Sequence, residues 1–264
     1  MEIQDKIVVV TGAASGIGRA LAVRFHAEGA RQIVSVDLNE AGAQETATMV
    51  GGLALHADVA KEADVVNVIE TAENEVGPID LFCSNAGIGA APELASENVE
   101  WQRSWDVNVM SHVYAARHLV PRMIERGGGY LLNTSSAAGL LNQIGGAAYG
   151  VTKHAAVGFG EWVALTYAHK GIRVSLLCPQ AVRTAMTTGD GADASSAVAA
   201  AAGDGMMEPE ELAEIVIEGL REERFLILTH AEVLTYMQRK AGDYDRWIGG
   251  MNRLQQRILS GLGV

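Results

Sequence analysis

The sequence of 264 residues is poor in the residue types that mark disulfide-rich and metal-binding proteins. It contains two cysteines and seven histidines. Two cysteines cannot build a disulfide framework, and no Cys-x-x-Cys or His-Glu-x-x-His pattern is present. Cys83 and Cys178 both lie in apolar, strand-like runs, which predicts two buried, reduced thiols. The sequence therefore predicts no metal cofactor.

Basic residues and long apolar runs are also scarce. The chain has 20 Lys and Arg against 32 Asp and Glu, for a net charge of −12. Because phosphate backbones require a basic patch, we expect no nucleic-acid partner. No run reaches the roughly 18 apolar residues that span a bilayer, and residues 1–6 lack the basic region of a signal peptide. We expect no membrane span and a cytoplasmic location.

What the sequence does contain is a series of short runs rich in Ile, Val and Leu that alternate with helical patterns. Nearly continuous apolar runs are typical of parallel strands that are covered on both faces. They lie near residues 6–11, 32–37, 53–57, 80–84, 130–134, 172–178 and 225–228. The pattern predicts an α/β fold, a three-layer doubly wound parallel sheet of Rossmann type with about seven strands. We expect one domain over residues 1–264.

Two segments depart from this alternation. Residues 185–207 are rich in Ala, Gly, Ser and Asp, which favours a substrate lid over the alternative, a surface insertion. Residues 231–264 predict a helical C-terminal extension whose apolar residues pack on the domain or on another subunit. A contribution of Trp247 or Met251 to a substrate pocket is the alternative.

Three glycines lie between the first predicted strand and the first helix. Gly12, Gly16 and Gly18 are separated by Ser15 and Ile17, among others. Glycine permits a tight turn and close approach of the backbone to a pyrophosphate, while the helix N-terminus offers unpaired N–H groups. The segment therefore predicts a dinucleotide site.

Tyr149 and Lys153 are four residues apart in a predicted helix, so their side chains leave the same face. An ammonium beside a phenol favours the phenolate, and together with the positive charge of an oxidised dinucleotide it would lower the ordinary tyrosine pKa of about 10 toward neutrality. Tyr149 is therefore a candidate general acid and base. The alternative, a surface pair one turn apart, stays open on these two residues alone.

The glycine spacing and a series of later motifs resemble the short-chain dehydrogenase/reductase family. The motifs follow in the family's order from residue 6 to about residue 184: Asp58-Val59, Asn85-Ala86-Gly87, Asn108, Ser136, Tyr149, Lys153 and Pro179 to Thr184. The resemblance implies cofactor contacts from Gly12, Ser15, Gly16, Ile17, Gly18, Asp37, Leu38, Asp58, Val59, Asn85, Ala86, Gly87, Tyr149, Lys153, Pro179, Val182 and Thr184.

The predicted cofactor is NAD. Asp37 follows Gly18 by 19 residues and can accept hydrogen bonds from the ribose hydroxyls, whereas a 2′-phosphate would face its carboxylate. For Asp37 alone, a solvated carboxylate that leads a turn with Asn39 is the alternative. Ser15 and Leu38 stand where NADP-binding relatives carry basic residues. We expect Arg19 to face solvent or the phosphates. Asp58 resembles the family's adenine contact, with a helix cap as the local alternative.

The resemblance also implies a catalytic set of Asn108, Ser136, Tyr149 and Lys153. The Ser136 hydroxyl would hold the substrate oxygen, with Ser135 as competitor. Lys153 would also hold the nicotinamide ribose, and the Asn108 backbone carbonyl would hold a water linked to it. Two positions depart from the family: Ser84 replaces Asn, and Gln180 replaces Gly. Gln180 implies either unusual backbone geometry or a side chain at the mouth of the site.

Together these features predict an NAD(H)-dependent oxidoreductase that interconverts a hydrophobic secondary alcohol and its ketone. Residues 139–146, the lid and the C-terminal extension would build the pocket. An NADP-dependent ketoacyl-type reductase and a non-catalytic NAD-binding sensor or scaffold are the alternatives. The resemblance implies a homo-oligomer, either dimer or tetramer. The sequence leaves the identity and stereochemistry of the substrate and the physiological direction open.

Overall fold

The fold is a seven-stranded parallel sheet with helices on both faces. The computed structural model describes residues 1–89, 91, 93–188 and 202–261. The strands are β1 (Ile7–Thr11), β2 (Gln32–Asp37), β3 (Leu53–His56), β4 (Leu81–Ser84), β5 (Gly129–Thr134), β6 (Ile172–Cys178) and β7 (Leu226–Leu228). Neighbouring strands pair in parallel in the order β3-β2-β1-β4-β5-β6-β7. The predicted doubly wound sheet is confirmed.

Eleven α-helices, numbered here in chain order, connect and extend the strands of the described chain. They are α1 (Gly16–Ala27), α2 (Glu40–Val50), α3 (Glu62–Glu75), α4 (Asn98–Trp105), α5 (Ser111–Glu125), α6 (Ala138–Leu141), α7 (Ala147–Tyr167), α8 (Ala185–Thr188), α9 (Pro209–Arg221), α10 (Glu232–Gly242) and α11 (Tyr244–Gly261). A π-helical turn, Asp106–Met110, joins α4 to α5.

The core lies in two layers, one on each face of the sheet. Successive side chains of a strand point to opposite faces, so Val8 and Val10 of β1 pack with Phe25 of α1 while Val9 packs on the other side with Leu119 of α5. Every residue of β1 is buried. Burial on both faces explains why the central strands are apolar throughout rather than alternating.

The strand order reverses between β1 and β4, and this reversal positions the site. β1 pairs with β2 on one side and with β4 on the other. The helices that follow these two strands pack on opposite faces of the sheet, which opens a crevice at the carboxyl ends of the strands. The glycine loop after β1 and the Asn85 loop after β4 both lie at this crevice.

The C-terminal region is helical, as the sequence predicts. Val233 of α10 is fully buried against Ala137 and Leu141, and Trp247 of α11 packs on the same cluster. The predicted lid lies mostly outside the described residues, since 189–201 fall there, and it stays a prediction. Among the described residues no helix is both long and apolar enough to cross a membrane.

Candidate active site

The glycine loop after β1 has the tight geometry that its sequence predicts. Gly12 and Gly16 adopt φ angles of 71° and 51°, in the left-handed region that favours glycine. A Cβ at Gly18 would lie 2.0 Å from the Gly12 carbonyl oxygen. The Asn85 amide donates to the Thr11 carbonyl at 3.0 Å. The loop is therefore pressed against the start of α1 and fastened to the end of β4.

The Asp37 carboxylate stands at the end of β2, beside the glycine loop. Its oxygens accept hydrogen bonds from the backbone N–H groups of Ala14 and Asn39, both at 2.9 Å. These bonds fix the carboxylate at the cleft. The Leu38 side chain next to it is 55% exposed, so the surface there is apolar rather than basic.

The Arg19 side chain is 31% exposed and contacts α2. Its Nε donates to the Thr46 hydroxyl at 3.0 Å, and its guanidinium pairs with Glu45 at 3.0 Å. Arg19 therefore binds α2 while it stays partly exposed to solvent, because α1 and α2 pack side by side. This pairing reduces the positive charge available to a phosphate.

Asp58 follows β3 and lies at the far end of the cleft. Its carboxylate pairs with Arg103 of α4 at 3.1 Å and accepts from the Ala60 N–H at 3.2 Å. Burial raises the pKa of Asp58, but these two hydrogen bonds outweigh burial and hold the pKa below its usual range. The helix-cap alternative is wrong, since α3 begins at Glu62 and its N-cap is Lys61.

One cleft of about 450 Å³ collects these motifs. Every residue that the sequence assigned to the cofactor lines it, and so does Ser136. The sequence reasoning missed a further group of lining residues: Ala57, Ile88, Arg103, Val107 and Thr134. Ala185, Met186 and Thr187 also line the cleft, and they fall in the range that the sequence predicts as a lid. Ala57 and Ile88 adjoin predicted motifs and could have been found by position. Arg103 reaches the cleft only through packing of α4.

The candidate catalytic side chains converge at the inner end of the cleft. Lys153 Nζ donates to the Thr134 carbonyl at 3.1 Å and lies 5.6 Å from the centre of the Tyr149 ring. The Ser136 hydroxyl donates to the Pro179 carbonyl at 3.3 Å. The Ser135 hydroxyl instead donates to the Lys153 carbonyl at 2.9 Å. This bond gives Ser135 a structural role, which favours Ser136 as the residue that meets a substrate.

The pKa of Tyr149 in the chain alone is governed by the burial of the phenol. Burial raises it, and a hydrogen bond with Ser136 lowers it by less, so that the pKa lies above its ordinary value. Burial also lowers the pKa of Lys153 to about 8. Lys153 alone does not lower the tyrosine pKa, because Lys153 is itself desolvated and bonds to Thr134. Further positive charge beside the ring is needed to favour the phenolate.

Asn108 lies behind the cleft rather than in its wall. It is fully buried in the π-helical turn, and its amide donates to the Ile88 carbonyl at 2.9 Å and to Thr152 at 3.1 Å. The Ile88 N–H donates back to Asn108 Oδ1 at 2.9 Å. A Cβ at Gly87 would lie 3.2 Å from Lys153 Nζ. Asn108 therefore positions the loop that passes Lys153.

A second cavity of about 390 Å³ opens beside Ser136. It shares Ser136 and Gln180 with the first cleft. Its other walls come from residues 137–144, the C-terminal helices, Gly203 and Asp204. Most of this lining is apolar: Ala137, Ala138, Leu141, Ile144, Trp247, Met251, Leu254 and Ile258. The polar lining residues are Asn142, Gln143, Asp204, Tyr236 and Arg239. The extension therefore both packs on the domain and lines a cavity, which favours the alternative set out for Trp247 and Met251.

Gln180 resolves one of the two alternatives that its position raised. Gln180 does not adopt a positive φ, so unusual backbone geometry does not explain the replacement of the family's glycine. Its side chain donates to Asp204 at 2.9 Å and lines both cavities. Gln180 therefore stands at the mouth of the site, between the cleft and the second cavity.

A doubly wound sheet, a glycine-lined cleft at its carboxyl edge and a Tyr-Lys pair on one helix define a nucleotide-binding oxidoreductase. The chain belongs to the short chain dehydrogenase family, whose model matches residues 6–195. Among curated relatives, 1-deoxy-11-beta-hydroxypentalenate dehydrogenase of Streptomyces exfoliatus is 34% identical and the match covers 94% of this chain and 91% of that protein. A 3beta-hydroxysteroid dehydrogenase of Mediterraneibacter gnavus is 35% identical, with 83% and 81% covered.

Solved structures agree with the fold. A short chain dehydrogenase/reductase from Burkholderia phymatum in complex with NAD superposes with a TM-score of 0.85 at 28% identity, covering 93% of this chain and 96% of that one. A 3-ketoacyl-(acyl-carrier-protein) reductase from Brucella melitensis complexed with NADH gives 0.76 at 32% identity, with 86% and 96% covered. The chain is therefore an oxidoreductase of the alcohol and ketone class.

Proposed function

We propose that this protein is an NAD(H)-dependent oxidoreductase that interconverts a hydrophobic secondary alcohol and its ketone. The observation that carries the proposal is the meeting of Tyr149, Lys153 and Ser136 where the glycine-lined cleft joins the apolar cavity. The cleft accounts for a dinucleotide, and the cavity accounts for an apolar substrate. Relatives named for a hydroxypentalenate and a hydroxysteroid support this substrate class.

The residues of the cleft fit NAD. The glycine loop leaves no space for a Cβ at Gly18, so the start of α1 packs close against the loop, and its N-terminus would face a pyrophosphate bound in the cleft. The fixed carboxylate of Asp37 would accept from the ribose hydroxyls and would repel a 2′-phosphate. Bound there, NAD supplies the hydride acceptor for alcohol oxidation. Asp58 and Val59 would contact the adenine, and Val182 and Thr184 the carboxamide.

The chain's own residues would handle the proton. In alcohol oxidation the substrate oxygen loses its proton to the Tyr149 phenolate while the carbinol carbon loses its hydride. The Ser136 hydroxyl would donate to the substrate oxygen as charge develops on it. Lys153 would hold a positive charge near the phenol, and Asn108 would position the loop behind Lys153. Ketone reduction uses the same groups in the reverse direction.

Substitution of Tyr149 by Phe tests the proposal. We expect wild type to oxidise members of a panel of secondary alcohols with NAD⁺ and Tyr149→Phe to lose about 100-fold or more in kcat, since general acid–base catalysis contributes about 10²–10⁴-fold. NADH affinity should remain within a few-fold. The matched control is Tyr244→Phe at an exposed tyrosine. NADH binding without turnover of any alcohol or ketone would contradict the enzyme and favour an NAD-binding sensor.

An NADP-dependent ketoacyl-type reductase is the second candidate. The reductase from Brucella melitensis supports it by similarity of fold and sequence. The Asp37 carboxylate in the cleft supports NAD instead, and the acidic chain, with its net charge of −12, suits an acidic carrier protein poorly. Turnover of a ketoacyl thioester with NADPH in preference to every alcohol would favour this candidate.

We also propose a cytoplasmic homo-oligomer. Cys83 and Cys178 are both buried and unpaired, which suits a reducing compartment; retention of a tagged chain in another compartment would contradict this. The outer face of α7 carries exposed apolar side chains, which support self-association. The test of the oligomer is given in the Discussion.

A further inference from the structure

The C-terminal helix α10 carries two polar side chains on its inner face, one turn apart. Tyr236 and Lys240 are i and i+4, so they project in the same direction. The Tyr236 hydroxyl donates to Asp204 at 2.9 Å, and Lys240 Nζ donates to the Leu140 carbonyl at 2.7 Å. Each bond joins α10 to a different segment beside the candidate active site.

The first bond leads to the loop after β6. Asp204 accepts from Tyr236 through one oxygen and from Gln180 through the other, both at 2.9 Å. A carboxylate only accepts hydrogen bonds, so both partners must donate and both are held in orientation. Tyr236 is therefore linked through Asp204 to Gln180 at the mouth of the site.

The second bond leads to the catalytic helix. The His154 Nδ1 atom lies 2.7 Å from the Gly150 carbonyl, and because a carbonyl only accepts, Nδ1 must carry the proton. The Nε2 atom is then free to accept from Lys240 Nζ at 3.4 Å. Leu140 lies four residues after Ser136, and His154 follows Lys153. Lys240 therefore joins α10 to both segments that hold the catalytic side chains.

The same two residues contact α11, which forms the outer wall of the second cavity. The Tyr236 and Trp247 rings have centroids 6.4 Å apart, and Lys240 Nζ lies 5.7 Å from the centre of the Tyr244 ring. Met251, Leu254 and Ile258 of α11 line the cavity beyond Trp247. The position of this apolar wall therefore depends on how α10 is held.

We propose that Tyr236 and Lys240 are positioning residues that hold α10 and α11 over the second cavity and thereby select large apolar alcohols. The inference rests on the proposed function, because it concerns the size of the alcohol that the same site accepts. A large alcohol would contact both the Ser136 side of the cavity and the α11 wall. A small alcohol would contact only the residues near Ser136.

The test compares the smallest and the largest secondary alcohols that wild type oxidises. For Lys240→Met we expect the ratio of kcat/KM, large to small, to fall about tenfold, the equivalent of about one lost hydrogen bond or apolar contact. The fall should lie in KM for the large alcohol, with kcat at saturation retained. Lys240→Arg keeps a donor and should restore most of the ratio. Gln238→Met, on the exposed side of α10, is the matched control.

A second measurement keeps the test independent of turnover. Amide hydrogen exchange in residues 244–258 should be faster in Lys240→Met than in wild type and Gln238→Met. An unchanged kcat/KM ratio together with unchanged exchange would contradict the positioning role and leave the proposed function standing. If wild type oxidises no alcohol, the proposed function fails, and the size selection fails with it.

Discussion

At the residue scale, the chemistry of the site depends on how deeply Tyr149 and Lys153 are buried, which cannot be read from the sequence. The i and i+4 spacing of Tyr149 and Lys153 correctly predicts that both side chains reach one cleft. It does not predict that Lys153 is 2% exposed or that its Nζ bonds to Thr134. Burial disfavours the charged form of each group, so it raises the pKa of Tyr149 and lowers that of Lys153.

The lowered pKa of Lys153 makes a prediction about stability. Its pKa is about 8 in the folded chain against 10.5 for the ordinary side chain, so burial of the charge destabilises the fold below about pH 8. This cost diminishes as the pH rises toward 10.5. Lys153→Met removes the cost, and its gain in the free energy of unfolding should be larger at pH 7 than at pH 10 by about 2 kcal/mol.

Denaturant unfolding of wild type and Lys153→Met at the two pH values measures this difference. The exposed Lys170 provides the control, since Lys170→Met should shift the free energy of unfolding equally at both. A gain from Lys153→Met that is the same at pH 7 and pH 10 would contradict a lowered Lys153 pKa.

At the element scale, α7 separates two surfaces. Tyr149 and Lys153 lie on one face, and Val151, Trp162 and Leu165 are exposed on the opposite one, Leu165 by 83%. An exposed apolar stripe on a long helix is typical of an interface. The sequence could predict the helix and its catalytic face. The packing of α7 on β6 decides which apolar side chains of α7 stay exposed. This packing involves residues far apart in the chain, so it cannot be read from the helix sequence alone.

The exposed apolar face of α7 predicts that the protein self-associates. We expect sedimentation to give a mass of at least twice the 27.9 kDa chain. Leu165→Glu places a charge in the interface and should shift the mass toward the single chain. Glu161→Gln, at an exposed neighbouring position, should leave the mass unchanged. A single-chain mass for wild type would exclude the oligomer.

At the scale of the whole molecule, the order of motifs along the chain predicted most of the architecture. Apolar runs gave seven strands, and residues just past β1, β2, β3, β4, β5 and β6 meet at the carboxyl edge because parallel strands end there together. The sequence also names residues 139–146 and the C-terminal extension, both of which line the second cavity, but not how they come together. The cavity exists because α10 and α11 return over Ser136, and this docking depends on the long-range contacts of Tyr236, Lys240 and Val233.

The central claim is that this fold uses NAD(H) to oxidise or reduce a substrate, and one measurement tests it most directly. It is the ratio of kcat/KM for NAD⁺ to that for NADP⁺, with one alcohol, in wild type, Asp37→Ala and the control Glu40→Ala. We predict a ratio above about 10 in wild type and a fall of about tenfold or more in Asp37→Ala, because under the proposal the carboxylate would accept from the ribose and repel a 2′-phosphate. A wild-type ratio below one, or one that Asp37→Ala leaves unchanged, would contradict the account.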